Sequence, residues 1–275
     1  MSELYKPYWD KTLDVRTAVG PPARPSKTEV KIFESLLFKI VKKKQAKVLV
    51  LGSTPELRDL ALKYKCEVTS ADISLEALIK LRSLMKQNWE NEILVRDNWL
   101  HMPLKHSHYD IILGDLILEN LYLHDWNKFL MKSREILNKN GYFILREPFL
   151  PPISEMRSKI YSVIEGCRNQ REHPTALFIA FLYLTYNYSE NSINARQARH
   201  LLKLYLKNNI RTAGMRRLTK NLLIWQRWGG KKWFILPQKM LEQKLSKYFI
   251  IKGRYFGRDH FFSKYFPIYL LKVKK

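Results

Sequence analysis

Four short segments carry residues suited to holding an anion and a sugar. They are Gly52-Ser53-Thr54-Pro55, Asp72, Asp97-Asn98-Trp99 and Asp115. Gly52 lets the backbone approach a ligand closely. Thr54 stands as a helix N-cap and Pro55 suits the first helical position. A helix start built this way points free N–H groups at an anion such as a carboxylate. Asp72 lies twenty residues beyond Gly52, and a carboxylate at that distance can accept both hydroxyls of a ribose. In the run 97–99 an acidic or amide side chain can accept from an adenine amino group, and Trp99 can stack on the ring. Each feature alone has a plainer reading as a turn, a cap or a core residue. Together, in this order, they point to a nucleoside-containing cofactor.

These residues need strands to bring them together, and the sequence supplies them. Lys47–Leu51 is a wholly apolar strand, as expected inside a parallel sheet. Further strands are expected at Glu67–Ala71, Glu92–Arg96, Tyr109–Leu113 and Gly141–Arg146. The intervening segments read as helices. Lys27 to Lys44 follows a capping box of Ser26 and Glu29; Pro55 to Tyr64 and Leu75 to Gln87 follow, the latter capped by Ser74. Asp125 is expected to cap a helix to Leu137, ended by Asn140-Gly141. Strands alternating with helices indicate an α/β, doubly wound, Rossmann-like sheet. Its ligand belongs at the C-terminal edge, at the switch point beside the first strand. All four segments fall at strand ends.

Residues 1–26 read as an irregular leader whose prolines forbid a continuous helix. Pro148, Pro151 and Pro152 mark a second boundary, after which 152–247 reads as mainly helical. The chain then returns to strands at Tyr248–Phe256 and Pro267–Val273. The expected division is 1–46 leader and helix, 47–151 cofactor-binding core, 152–247 helical insertion, and 248–275 terminal β-pair.

From Lys47 to Glu147 the chain resembles the class I S-adenosylmethionine-dependent methyltransferases. It is most similar to a subgroup whose first motif reads leucine-glycine-x-threonine-proline-glutamate in place of a glycine-rich loop. LGSTPEL at 51–57 matches that variant, and PPARPS at 21–26 resembles its proline-rich leader. VTSADIS at 68–74, RDNWLHMPL at 96–104, YDIILGDLILENL at 109–121 and REILNKNGYFILREP at 134–148 resemble the later motifs. The resemblance implies S-adenosylmethionine as cofactor. Gly52, Ser53 and Thr54 would cradle its methionyl part, and Asp72, with Ile73 beside it, the ribose. Asp97, Asn98 and Trp99 would frame the adenine; the third motif carries one extra residue, so either Asp97 or Asn98 takes the adenine-facing role. Asp115 would lie near the amino group and the transferring methyl. Trp9 and Arg24 would close over the cofactor from the leader, Arg24 pairing with its carboxylate. The resemblance also implies a mostly parallel sheet with a terminal antiparallel strand and a helical lid over the acceptor. A dinucleotide-binding Rossmann fold is the rival. It normally needs a second glycine, for close approach of the pyrophosphate, where Thr54 stands.

The net charge is +24, from 49 Lys and Arg against 25 Asp and Glu. It is uneven: +5 over 1–151, +13 over 152–247 and +6 over 248–275. The stretch 216–234 clusters basic residues with Trp225, Trp228 and Trp233. Three functions are compatible with this. One is a methyltransferase for a small, anionic or aromatic acceptor under a helical lid. Another is a methyltransferase docking RNA or protein on the basic block. The last is a non-catalytic protein retaining the fold. His101, His124 and His260 are the candidates for a general base, and each has an ordinary surface or capping role as its plainer reading. No His, Cys and carboxylate cluster has metal spacing. Cys66 and Cys167 are too few for a disulfide framework, and the N-terminus has no signal-like apolar core, which points to a reducing, cytosolic setting. The longest apolar run, Ala176 to Tyr188, is too short for a bilayer and reads as a buried helix.

Overall fold

The computed structural model describes residues 16–17, 19–41, 45–209 and 230–274. Trp9, Trp225 and Trp228 lie outside the described residues. Nine strands are described: β1 (Lys47–Leu51), β2 (Glu67–Asp72), β3 (Ile93–Arg96), β4 (Tyr109–Asp115), β5 (Leu137–Arg146), β6 (Ser192–Asn194), β7 (Lys232–Phe234), β8 (Phe249–Tyr255) and β9 (Ile268–Val273). Seven form one sheet in the order β3-β2-β1-β4-β5-β9-β8. The first five strands run parallel. β9 enters antiparallel to β5, and β8 pairs antiparallel to β9. The order reverses between β1 and β4, which makes that gap the switch point.

Burial on both faces explains the unbroken apolar run of β1. Val48 and Val50 pack with Phe33, Leu36 and Leu37 of α1 (Lys27–Ile40) and Leu57 and Leu60 of α2 (Pro55–Lys63). Leu49 and Leu51 face the opposite layer, with Phe129 and Leu130 of α4 (Trp126–Ile136) and Leu241 and Leu245 of α8 (Gln238–Tyr248). Helices on both faces are what a parallel sheet requires.

Several helices stop earlier than periodicity predicts. α1 ends at Ile40 rather than Lys44. α3 spans only Leu75–Lys80, followed by a 3-10 turn over Leu81–Leu84. The N–H groups of Lys86 and Gln87 donate to the Asp59 carboxylate instead of continuing a helical ladder. α4 ends at Ile136, and Leu137 already belongs to β5. The carbonyls of Glu135 and Ile136 accept from Ser107 and His108 N–H, so Asn140-Gly141 lies inside the strand segment and stops nothing. Asp125 makes no side-chain cap bond.

The segment after Arg146 contains α5 (Ile153–Arg168), α6 (Pro174–Leu184) and α7 (Ala195–Asn209), with α6 packed between the other two. A β6–β7 ribbon sits beside them, a strand pair within a segment expected to be mainly helical. α6 is apolar on almost every side and correspondingly buried. α8, at the end of the same segment, packs instead on α4 and β8. No described helix is long and apolar enough to cross a membrane.

One buried charge cluster joins these parts. Arg146, at the end of β5, is fully buried. Its Nε donates to Asp115 Oδ1 at 2.6 Å, its Nη1 to both Glu29 carboxylate oxygens at 3.2 and 3.3 Å, and its Nη2 to the Pro22 carbonyl at 2.9 Å. Glu29 also accepts from Ser26 N–H, completing the capping box, and contacts His260 Nε2 at 3.2 Å. Burial pushes the Glu29 carboxyl up, but Arg146, His260 and Ser26 outweigh it and leave it at about 2. Its folded value therefore lies below its ordinary 4.5, so the pair stabilises above pH 4.5 and the stabilisation is lost as pH falls toward 2. Glu29→Gln is expected to cost about 3 kcal/mol in urea unfolding at neutral pH. The variant should also lose less stability than the wild type between pH 4.5 and 2.

Candidate active site

A cavity opens at the C-terminal ends of β1, β2 and β4, on the switch-point side of the sheet. Gly52, Ser53 and Thr54 line it after β1, Asp72 at the end of β2, Trp99 after β3, and Asp115 at the end of β4. The strand order thus brings together residues up to sixty-three positions apart.

Gly52 has φ +82°, in the left-handed region that side chains rarely adopt. Its N–H donates to the Ala71 carbonyl at 2.8 Å, which turns the chain away from the sheet toward α2. A Cβ there would meet only ordinary contacts, the nearest being Trp99 Cζ2 at 3.7 Å. The glycine is needed for its backbone angle, not for room. Thr54 occupies the cap position of α2 in an extended conformation, but its side chain makes no cap bond. It lines the cavity instead. Asp72 is buried and accepts from Ser74 N–H at 2.9 Å. The Trp99 indole donates to the Ala71 carbonyl at 2.8 Å, which fixes the ring against the β1–β2 edge.

Other expected site residues are placed elsewhere. Ile73, Asp97, Asn98 and Arg24 are not among the residues lining the cavity. Asp97 accepts from Asn98 N–H at 2.6 Å and Asn98 from Leu100 N–H at 3.1 Å, so both shape the turn that delivers Trp99. The leader does reach the cavity, but through Arg16, Val19, Pro22 and Ala23. Arg16 is buried and pairs with Glu56 on α2, and its Nε has no hydrogen-bond partner among the described residues. Gly20 holds this segment by a close approach. Its N–H donates to Thr175 Oγ1 at 3.0 Å, and a Cβ would fall 2.3 Å from the His173 ring. The three histidines lie off the cavity. His101 is exposed, His124 is exposed and stacks on Tyr122, and His260 is buried against Glu29.

The turn after β4 brings in residues that spacing did not reveal. Leu116 takes φ +57°, uncommon for a branched side chain. Its N–H donates to the Arg146 carbonyl at 2.9 Å. The buried Glu147 carboxylate then accepts from the N–H groups of Ile117, Leu118 and Glu119 at 2.8–3.0 Å. This arrangement sets Glu119 and Asn120 on the cavity wall. Across from them the second segment contributes Ile179, Leu182, Tyr183, Ile193, Trp233 and Ile235. Lys231 Nζ donates to Asn120 Oδ1 at 2.5 Å and lies over the Trp233 ring. Burial pushes Glu119 up to about 7 against the pull of Lys231 and Arg146. Burial likewise brings Lys231 down to about 7 against the pull of Glu119 and Asp72. Burial raises Asp115 above the ordinary carboxylate range, against the pull of Arg146.

The family model for a methyltransferase domain matches residues 51–145, the part of the chain that builds these strand ends. The chain carries a class I S-adenosylmethionine-dependent methyltransferase domain. S-adenosylmethionine is its cofactor. A search of curated proteins by sequence found no match. Solved structures share the fold at low identity. A protein from Rhodobacter sphaeroides, described as a putative Zn-dependent alcohol dehydrogenase, has a TM-score of 0.63 at 17% identity over 98% of this chain and 99% of that one. The 1,6-didemethyltoxoflavin N1-methyltransferase of Burkholderia thailandensis, solved with 1,6-didemethyltoxoflavin and S-adenosylhomocysteine, has a TM-score of 0.54 at 10% identity over 97% and 84%. The N-methyltransferase NodS of Bradyrhizobium japonicum, solved with S-adenosylhomocysteine, has 0.52 at 11% over 98% and 100%. Among the described residues, no group of three His, Cys, Asp or Glu is placed to hold a metal ion.

Gly52→Ala tests the turn of this methyltransferase domain. Because the new Cβ has room, the cost is the backbone angle alone, about 1–2 kcal/mol in urea unfolding. A much larger loss would mean a clash that the geometry does not contain.

Proposed function

We propose that this methyltransferase transfers the methyl group of S-adenosylmethionine to a small molecule held beneath the helical segment after Arg146. One observation carries the reading. The cavity at the strand ends is closed on its other side by Ile179, Leu182, Tyr183, Ile193, Trp233 and Ile235, so both segments wall a single space. An enclosed apolar wall suits a molecule of limited size and excludes water from the transfer. The Burkholderia neighbour was solved with a small molecule and S-adenosylhomocysteine bound, which is in keeping with an acceptor of that scale.

The residues on the cofactor side fit the group. The buried Arg16 Nε without a partner supplies a cation for the methionyl carboxylate, in the role first assigned to Arg24. Gly52, Ser53 and Thr54 stand beside it to hold the methionyl part. Asp72 accepts from the ribose hydroxyls, and Trp99 gives the adenine an apolar neighbour. Asp115, held by Arg146, lies at the end of β4 where the amino group belongs. The bound cofactor supplies a sulfonium-activated methyl group. The chain's part is to orient the acceptor and keep water out.

The excess of +13 over 152–247 supports a second reading, with RNA or a protein as acceptor. That reading requires RNA binding that weakens steeply with salt, and no binding at low salt would remove the RNA form of it.

Calorimetry with S-adenosylhomocysteine tests the cofactor assignment. Asp72→Ala is expected to weaken binding at least about tenfold, the loss of a hydrogen bond to a charged group. Arg16→Met is expected to weaken it by a similar factor, while Arg24→Met leaves it within about twofold. Unchanged affinity in Asp72→Ala would refute the ribose assignment.

A further inference from the structure

The acceptor half of the cavity has a chemical character of its own, and its role as an acceptor site rests on the proposed methyl transfer to a small molecule. Its walls are Ile179, Leu182, Ile193, Trp233 and Ile235. Three polar side chains interrupt them, of which Asn120 is already bonded to the Leu116 carbonyl and to Lys231. The Glu119 carboxylate lines the cavity and has no hydrogen bond or ion pair among the described residues; only its own N–H is taken, by Glu147. The Tyr183 hydroxyl likewise has no hydrogen-bond partner among the described residues, although the residue is 1% exposed and lines the same cavity. The two groups line the same cavity. A ligand that donates to Glu119 here makes a hydrogen bond that the described residues do not make themselves.

We propose that this half of the cavity binds an uncharged, ring-sized apolar acceptor through one hydroxyl or N–H, which donates to the Glu119 carboxylate beside the Tyr183 hydroxyl. The charges around Glu119 decide against the alternatives. Lys231 and Arg146 both act on it from neighbouring elements, so a cationic ligand meets two like charges. The Glu119 and Asp115 carboxyl groups on the cavity wall oppose an anionic one. A polyphosphate backbone would meet the same carboxylates and has no use for the apolar wall. The space therefore selects a molecule with a large apolar surface and a single protic group.

Phenol, anisole and benzylamine serve as probes, titrated by NMR into protein loaded with S-adenosylhomocysteine. Phenol and anisole differ in the O–H that Glu119 would accept; benzylamine presents a cation of similar size. Phenol is expected to bind at least about fivefold more tightly than anisole, equivalent to about 1 kcal/mol for one hydrogen bond. Glu119→Gln and Tyr183→Phe should each bring that ratio to within about twofold while leaving the affinity for S-adenosylhomocysteine unchanged, which also shows that the variants fold. Equal binding of phenol and anisole to the wild type would overturn the proposal. So would no binding of either, a ratio that survives in both variants, or benzylamine binding more tightly than phenol. If S-adenosylhomocysteine itself does not bind, the cofactor assignment fails, and the phenol-to-anisole ratio in unloaded protein still decides for or against the Glu119 site.

Discussion

A guanidinium removed from water must be surrounded by acceptors, and much of this structure is organised around that requirement at Arg146. Burying an unpaired charge costs several kcal/mol, so the groups that satisfy it are held together as one unit. Asp115 comes from the neighbouring strand, Glu29 from the helix before the sheet, and the Pro22 carbonyl from the leader. His260, between β8 and β9, contacts Glu29 from the other end of the chain. Four segments remote in sequence are tied at one strand end. The leader is thereby brought onto the sheet edge, where Arg16 can enter the cavity.

A second buried acid organises the next turn. Glu147 follows Arg146 directly and takes the N–H groups that the turn after β4 would otherwise leave unsatisfied. The strained backbone at Leu116 persists because these bonds and the contact to the Arg146 carbonyl over-determine it. The outcome is that Asp115 and Glu119 both line the cavity. At the far side of the sheet, Arg58 and Glu92 form a comparable buried pair, with Ser70 and Arg82 bonded to the same carboxylate. That pair anchors the approach to β3 and leaves the cavity untouched.

The division of labour around the cavity follows from these constraints. Parallel strands supply polar residues at their ends, while their middles are consumed by the core. The segment after Arg146 supplies mostly apolar side chains, because α6 is buried on nearly all sides and turns only part of its surface to the cavity. The Tyr183 hydroxyl is polar, and Lys231 stands just behind the wall. It is held by Asn120, across the boundary between the two halves, and its charge is weakened by the same burial that raises Glu119. The chemistry available to an acceptor depends on this meeting of segments.

The sequence alone determined the α/β class, the five parallel strands and the order of residues at their ends. These follow from local rules: apolar runs, caps and glycines act over a few residues. Gly52, Asp72, Trp99 and Asp115 were legible for that reason, since each sits where a strand stops. The capping box at Ser26 and Glu29 was equally local. Tertiary structure decided the rest. Whether Arg16 or Arg24 reaches the cavity depends on how the leader packs against α2 and His173. Whether α4 ends at Ile136 or at Asn140-Gly141 depends on N–H groups from the segment before β4. Glu119, Tyr183 and Lys231 share no motif, and they come together only because the turn after β4, α6 and the residue before β7 pack against one another. Pairings between residues more than sixty positions apart leave no periodic trace in the chain, and the cost of burying charge selects them only once the fold has formed.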